Sequence, residues 1–73
     1  MKKIKKILDT LIENGGTKRT LLSVKTGMNY DRCMKYVNTL KILKLIEVIL
    51  DNNCGYVMIT QAGKEIFNLL ECI

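Results

Sequence analysis

The stretch whose reading decides the fold is Thr17–Leu45, TKRTLLSVKTGMNYDRCMKYVNTLKILKL. It reads as two helices joined by a tight turn. Thr17 suits the N-cap of the first, because its hydroxyl can accept from one of the unpaired N–H groups at a helix start. Leu21, Leu22 and Val24 are then expected to point inward, leaving Lys18, Arg19 and Lys25 outside. Thr26-Gly27-Met28 makes the turn, with Gly27 free to adopt a positive φ. Asn29 is the expected cap of the second helix, roughly Tyr30 to Leu43. Cys33, Val37 and Leu40 fall at i, i+4, i+7, the spacing of one buried stripe, with Tyr30, Tyr36 and Leu43 flanking it. The opposite face shows Asp31, Arg32, Lys35, Asn38, Thr39 and Ile42. Lys41 and Lys44 lie at the helix end whose dipole favours cations.

Working outward, Ile4, Ile7, Leu8, Leu11 and Ile12 make the apolar face of an earlier helix that Asn14-Gly15-Gly16 ends. Downstream, Leu45–Leu50 is short and rich in β-branched residues, which favours a strand. Asp51–Gly55 is a turn cluster, expected to form a four- or five-residue loop, and Tyr56–Ile59 is the returning strand. Thr60 caps a last helix, Gln61 to about Glu71. Its Ile66, Phe67, Leu69, Leu70 and Ile73 offer more apolar surface than a small core requires. Helix, helix-turn-helix, hairpin, helix is the order of an α+β, mainly α, winged helix-turn-helix: a three-helix core, a β-hairpin wing and a C-terminal helix. No linker or repeat interrupts it, so residues 1–73 are expected to form a single domain.

A chain of 73 residues buries only about 60% of its unfolded surface and is marginal as a monomer. Its hydrophobic fraction of 48% is high for so few residues, so part of it is expected in a homodimer interface. Ile4 and Leu8 of the first helix, with Ile66, Phe67, Leu70 and Ile73 of the last, are the candidates. No run approaches the ~18 apolar residues of a membrane span, and the lysine-rich N-terminus lacks a signal-peptide cleavage site. An intracellular, cytoplasmic protein is expected. With Cys33, Cys54 and Cys72 and no His, the chain lacks the fourth ligand of a structural zinc site. The cysteines read as reduced apolar side chains, with Cys72 the candidate for an intersubunit disulfide. Gly63-Lys64 is not a phosphate-binding loop, since Met58 and Glu65 occupy two required positions. Without His and with scattered carboxylates no catalytic constellation is visible. The sequence argues for no enzyme, no cofactor, no metal and no small-molecule ligand.

Charge points elsewhere. Residues 1–44 hold 11 basic and 3 acidic side chains, net +8, whereas residues 45–73 hold 1 and 4, net −3. A basic first half containing a helix-turn-helix suits double-stranded DNA, whose major groove admits one helix while the other crosses the backbone. Arg32 and Lys35 can reach guanine edges or phosphates. Asn29 and Asn38 can pair with adenine edges or bond phosphates, and Thr39 can meet a thymine methyl. Tyr30 and Tyr36 can donate to phosphate, and Lys18 and Arg19 can hold the backbone. The lysines at positions 2, 3, 5 and 6 are either a solvated tail or reach flanking phosphates. In the wing, Asn52 and Asn53 can touch phosphates, but the loop has no basic residue.

Met28-Asn29-Tyr30-Asp31-Arg32-Cys33-Met34-Lys35-Tyr36, followed by Leu45-Ile46-Glu47, resembles the third helix and first wing strand of small archaeal winged-helix regulators. Those carry Asn/Ser-Tyr-x-x-apolar-x-x-Tyr leading to Gly-Leu-Ile. Tyr56–Glu65 resembles their Tyr-x-apolar-Thr-x-x-Gly lead into the last helix. The likeness spans nearly the whole chain. It implies a winged-helix fold, sequence-specific or architectural DNA binding, and homodimers often built through the terminal helices. Two departures stand out: Lys44 replaces the usual Gly, and the last helix stops at Ile73 where some members extend a coiled coil. The expectation is a homodimeric transcriptional regulator. Its rivals are a sequence-blind DNA coater, a winged helix used for protein contacts through the last helix, and, more distantly, a basic amphipathic first helix at a membrane surface.

Overall fold

The computed structural model describes residues 2–51 and 54–72. Its elements are α1 (Lys2–Asn14), β1 (Thr17–Lys18), α2 (Arg19–Thr26), α3 (Tyr30–Ile42), β2 (Ile46–Asp51), β3 (Cys54–Ile59) and α4 (Gln61–Cys72). The expected order is present with one addition: β1 joins the hairpin, giving an antiparallel sheet ordered β1-β3-β2.

The core is aliphatic because the chain supplies little else. Ile7, Leu8 and Leu11 of α1 are fully enclosed. Burying such side chains stabilises by about 1.5–3 kcal/mol each, which a 13-residue helix needs, since one of that length is marginal alone. Leu22 of α2 and Cys33, Val37 and Leu40 of α3 meet them, as the α3 spacing predicts. Ile46, Val57 and Phe67 close the core from the sheet and α4. Burial pushes the Cys33 thiol up from its ordinary range, and a hydrogen bond with Thr26 partly offsets that.

Four local expectations fail. Thr17 does not cap α2. It is extended and buried, and it pairs with Val57 in β1, so the cap position falls to Lys18, which makes no side-chain cap bond. Leu21 and Val24 do not point inward; Val24 is 73% exposed. The inward face of α2 is Leu22, Ser23 and Thr26. Their hydroxyls donate within the helix, Ser23 to the Thr20 carbonyl and Thr26 to that of Leu22, both at 2.7 Å, so burying them leaves no unpaired donor. Third, the hairpin is tighter than four or five residues, because pairing runs from Ile46↔Ile59 to Asp51↔Cys54. Fourth, Ile12, read as part of the α1 apolar face, and Tyr30 and Leu43, read as flanking the α3 stripe, are exposed.

The turns between elements share one device. At the end of α2, Gly27 takes φ 70°, its N–H bonds the Val24 carbonyl, and the Met28 N–H bonds that of Ser23. The end of α3 repeats the pattern without glycine. Lys44 takes φ 63°, with N–H bonds from Lys44 to Lys41 and from Leu45 to Leu40. The turn therefore survives the departure from Gly noted in the sequence, at the steric cost of a left-handed non-glycine residue.

Thr60 caps α4 as expected, its hydroxyl accepting from the Gly63 N–H at 3.1 Å. The same hydroxyl donates toward the carbonyls of Lys44 and Leu45, at 2.8 and 2.9 Å, and the Thr60 N–H bonds Leu45 at 3.0 Å. One residue thus ties the α3–β2 turn to the start of α4. Gly63 completes the junction by steric necessity, since a Cβ there would overlap the Leu45 carbonyl oxygen.

Candidate nucleic-acid interface

α3 presents its polar face because Asn29 starts it cleanly: the Asn29 Oδ1 accepts from the Arg32 N–H at 2.9 Å. With Cys33, Val37 and Leu40 turned into the core, Asp31, Arg32, Lys35, Asn38, Thr39 and Ile42 are all exposed on the other side. Arg32, Lys35, Tyr36 and Thr39 line one shallow depression of about 330 Å³. A second, of about 220 Å³, is lined by Lys3, Gly27, Met28, Asn29 and Arg32. Arg32 lines both, so the two adjoin at that side chain and make a strip, one part toward the start of α1 and the other along α3.

The hydrogen bonds refine what each side chain can do. Asn29 commits its oxygen to the cap, so a bidentate adenine contact gives way to donation from its Nδ2. Thr39 donates its hydroxyl to the Lys35 carbonyl at 3.0 Å, which leaves its methyl as the natural outward contact. Tyr36 is half-buried and packs on the core, while Tyr30 is exposed. Among the described residues the one ion pair is Lys5 Nζ–Glu71 Oε2 at 3.7 Å, so no carboxylate takes up Arg32 or Lys35.

Other candidates lie away from this strip. Lys18 is exposed at β1, opposite Tyr56. Arg19 is half-buried and lies over Gly55 of β3, where it fills the space a Cβ would take. Asn52 and Asn53 lie outside the described residues, as does Ile73. Of the expected interface residues, Leu8 is 0% and Phe67 9% exposed within the single chain. Both are consumed by the core, because α1 packs directly on α4. Ile4, Ile66 and Leu70 remain half-buried at its margin, and Leu69, absent from that set, is 62% exposed.

Lys3 is the residue that sequence reasoning did not single out. It stood among four similar lysines, and its place beside Asn29 and Arg32 depends on how α1 crosses the helix pair, for which no local signal exists. Among the described residues no group of three or more His, Cys, Asp or Glu could hold a metal ion, and no helix is long and apolar enough to cross a membrane.

The family described as winged helix-turn-helix matches the chain over residues 2–73. No curated protein sequence matches it. Among solved structures, the PcaV transcriptional regulator of Streptomyces coelicolor, determined with its natural ligand, superposes with a TM-score of 0.89 at 14% identity, over 93% of this chain and 50% of that one. A homodimeric winged helix-turn-helix DNA-binding domain from Mycobacterium bovis gives 0.83 at 24% identity, over 96% and 65%. A protein of Archaeoglobus fulgidus gives 0.87 at 14% identity, over 99% and 84%. The chain thus spans about half the length of PcaV and just under two thirds of the Mycobacterium domain. At these identities the likeness is one of fold.

Proposed function

The chain belongs to the winged helix-turn-helix family, and we propose that it is a homodimeric DNA-binding protein, a transcriptional regulator, with α3 in the major groove. The observation that carries this is the strip along α3. Arg32 and Lys35, an amide donor and an outward methyl lie on the exposed face of α3, Lys3 of α1 lines the depression beside Asn29 and Arg32, and none of the three cations has a carboxylate partner among the described residues. A groove-reading helix needs such a face, with charge for phosphates and short polar or methyl groups for base edges. Arg32 and Lys35 take guanine or phosphate, Asn38 an adenine edge, Thr39 a thymine methyl. Lys3, Tyr30 and Lys18 hold phosphates beside the groove, and Asn29 adds one amide donor.

Two copies meet in this proposal through α1 and α4. Ile66, Leu69 and Leu70 stand at i, i+3, i+4 on α4 with Ile4 nearby, so a second copy covers apolar area that one chain leaves open. That dimer sets two recognition helices about one duplex turn, roughly 34 Å, apart. The reading places the protein with the DNA, in the cytoplasm, and gives it no catalytic role.

Selection of bound sequences from a random duplex pool tests it. Enrichment of two half-sites about one helical turn apart supports the regulator. Random duplex competing as well as any selected sequence would convert the proposal to a sequence-blind coater. No binding to any duplex at low salt would overturn DNA binding altogether.

A further inference from the structure

Among the described residues, β2 is hydrogen-bonded to β3 alone, so its other edge is open. That edge reads Ile46-Glu47-Val48-Ile49-Leu50-Asp51, with Glu47 and Asp51 as its charges and no Lys, Pro or Gly to guard it. Exposed edges of this kind are templates for another strand, which is why folded proteins usually blunt them. Ile49 is 46% and Leu50 71% exposed, one on each face of the sheet, and among the described residues nothing in the chain covers them. Alongside runs a groove of about 430 Å³, walled by Ile46–Ile49 of β2, by Lys41 and Lys44 at the end of α3, and by Thr60.

We infer that this edge receives β2 of a second copy of the chain, in antiparallel two-fold pairing, at a contact separate from the α1/α4 surface. The occupant follows from charge and register. A two-fold axis through the sheet preserves its faces, so residues of like parity must meet. Centring the axis on Glu47 sets two carboxylates opposite each other, and centring it on Ile49 sets Glu47 opposite Asp51. Both oppose like charges, which is destabilising. Centring it on Val48 sets Ile46 against Leu50, Glu47 against Ile49, and Val48 against its own copy. In that register each incoming strand brings Glu47 to an edge whose groove holds Lys41 and Lys44 against one carboxylate, the chain's own Glu47, so the charges are complementary. Nothing in this inference depends on DNA binding.

The experiment is sedimentation equilibrium of the full 8.4 kDa chain carrying Leu69→Lys, which removes the α4 contact, at millimolar concentration without DNA. The expected mass is that of a dimer, with amides of β2 exchanging more slowly as concentration rises. Adding Ile49→Glu, which opposes Glu47 of the copy, should return the monomer mass. Ile49→Lys, which faces the same Glu47, should retain the dimer. Circular dichroism unchanged from the parent keeps misfolding out of the comparison. If the α1/α4 dimer is wrong, Leu69→Lys changes nothing and the Ile49 pair still behaves as described. A Leu69→Lys chain that stays monomeric overturns the inference, as does equal behaviour of Ile49→Glu and Ile49→Lys. Protection of β2 that appears only on adding an acidic peptide or a duplex overturns it too, by giving the edge another occupant.

Discussion

Gly63→Ala adds one methyl group where α4 meets the α3–β2 turn. Its Cβ would overlap the Leu45 carbonyl oxygen and stand 2.7 Å from Ile59 Cγ1 and 3.2 Å from the Leu45 carbonyl carbon. The Ile59 side chain can rotate away. The carbonyl can yield only by giving up its bonds, because its oxygen accepts from the Thr60 N–H at 3.0 Å and the Thr60 hydroxyl at 2.9 Å. Overpacking of this kind costs about 1–3 kcal/mol, and losing the two hydrogen bonds adds about 1 kcal/mol each. Against this, alanine in a helix gains about 1 kcal/mol over glycine. The balance is a loss of roughly 2–4 kcal/mol. In a domain of this size each kcal/mol moves Tm by about 4–8 °C, so the expected drop is roughly 8–30 °C by calorimetry or circular dichroism. Gly55→Ala is the control. The nearest atoms to its added Cβ all belong to the Arg19 side chain, which can move, so its melting temperature should fall by far less. A Gly63→Ala protein melting at or above the parent would refute the close approach and the locking role given to Thr60.

Lys44→Gly relieves a left-handed conformation worth roughly 1–2 kcal/mol and adds about 0.5–1 kcal/mol of unfolded-state entropy. A rise in urea midpoint with unchanged slope is expected, and a fall would show that the lysine stabilises the helix end by more than the strain it carries. Cys33 should resist iodoacetamide until the chain unfolds, whereas exposed Cys72 reacts at once, as peptide mapping by mass spectrometry will read; equal rates would contradict the core placement. Because the folded Cys33 pKa is raised, its contribution to stability is fully present below the ordinary thiol pKa and is lost as pH rises through the folded value. Leu8→Ala should cost about 2–5 kcal/mol through a core cavity, while Leu69→Lys should leave the melt nearly unchanged and lower the self-association of the native chain.

Where the pattern was periodic, it was legible. The α3 stripe, the Asn29 and Thr60 caps and the Gly27 turn follow from spacing and side-chain chemistry confined to a few residues. α2 was misread because Thr17 satisfies a local cap rule and a non-local pairing with Val57 equally well, and the sheet took it. That moved the helix start and turned Leu21 and Val24 outward. The hairpin loop looked longer because Asp51 and Cys54 carry turn-forming neighbours, yet strand pairing continues through both. In the candidate site, the exposed face of α3 was readable from helical period alone. The position of Lys3 was not, nor the placement of Arg19 over Gly55, since each depends on packing between elements distant in sequence. Leu8 and Phe67 looked available to a partner for the same reason. Amphipathic spacing marks an apolar face without saying whether the chain's own helices or a second copy cover it.

The central claim is that the outward face of α3 reads duplex DNA, and binding isotherms of Arg32→Ala and Lys35→Ala test it most directly. They are measured by fluorescence anisotropy across a salt series on a sequence selected by the parent protein. Each substitution should weaken binding with Tm almost unchanged. A cation lost from phosphate should flatten the salt dependence by about one in the log–log slope, and one lost from a guanine edge should relax sequence preference at a single position. Parental affinity, salt slope and specificity in both variants would contradict the account.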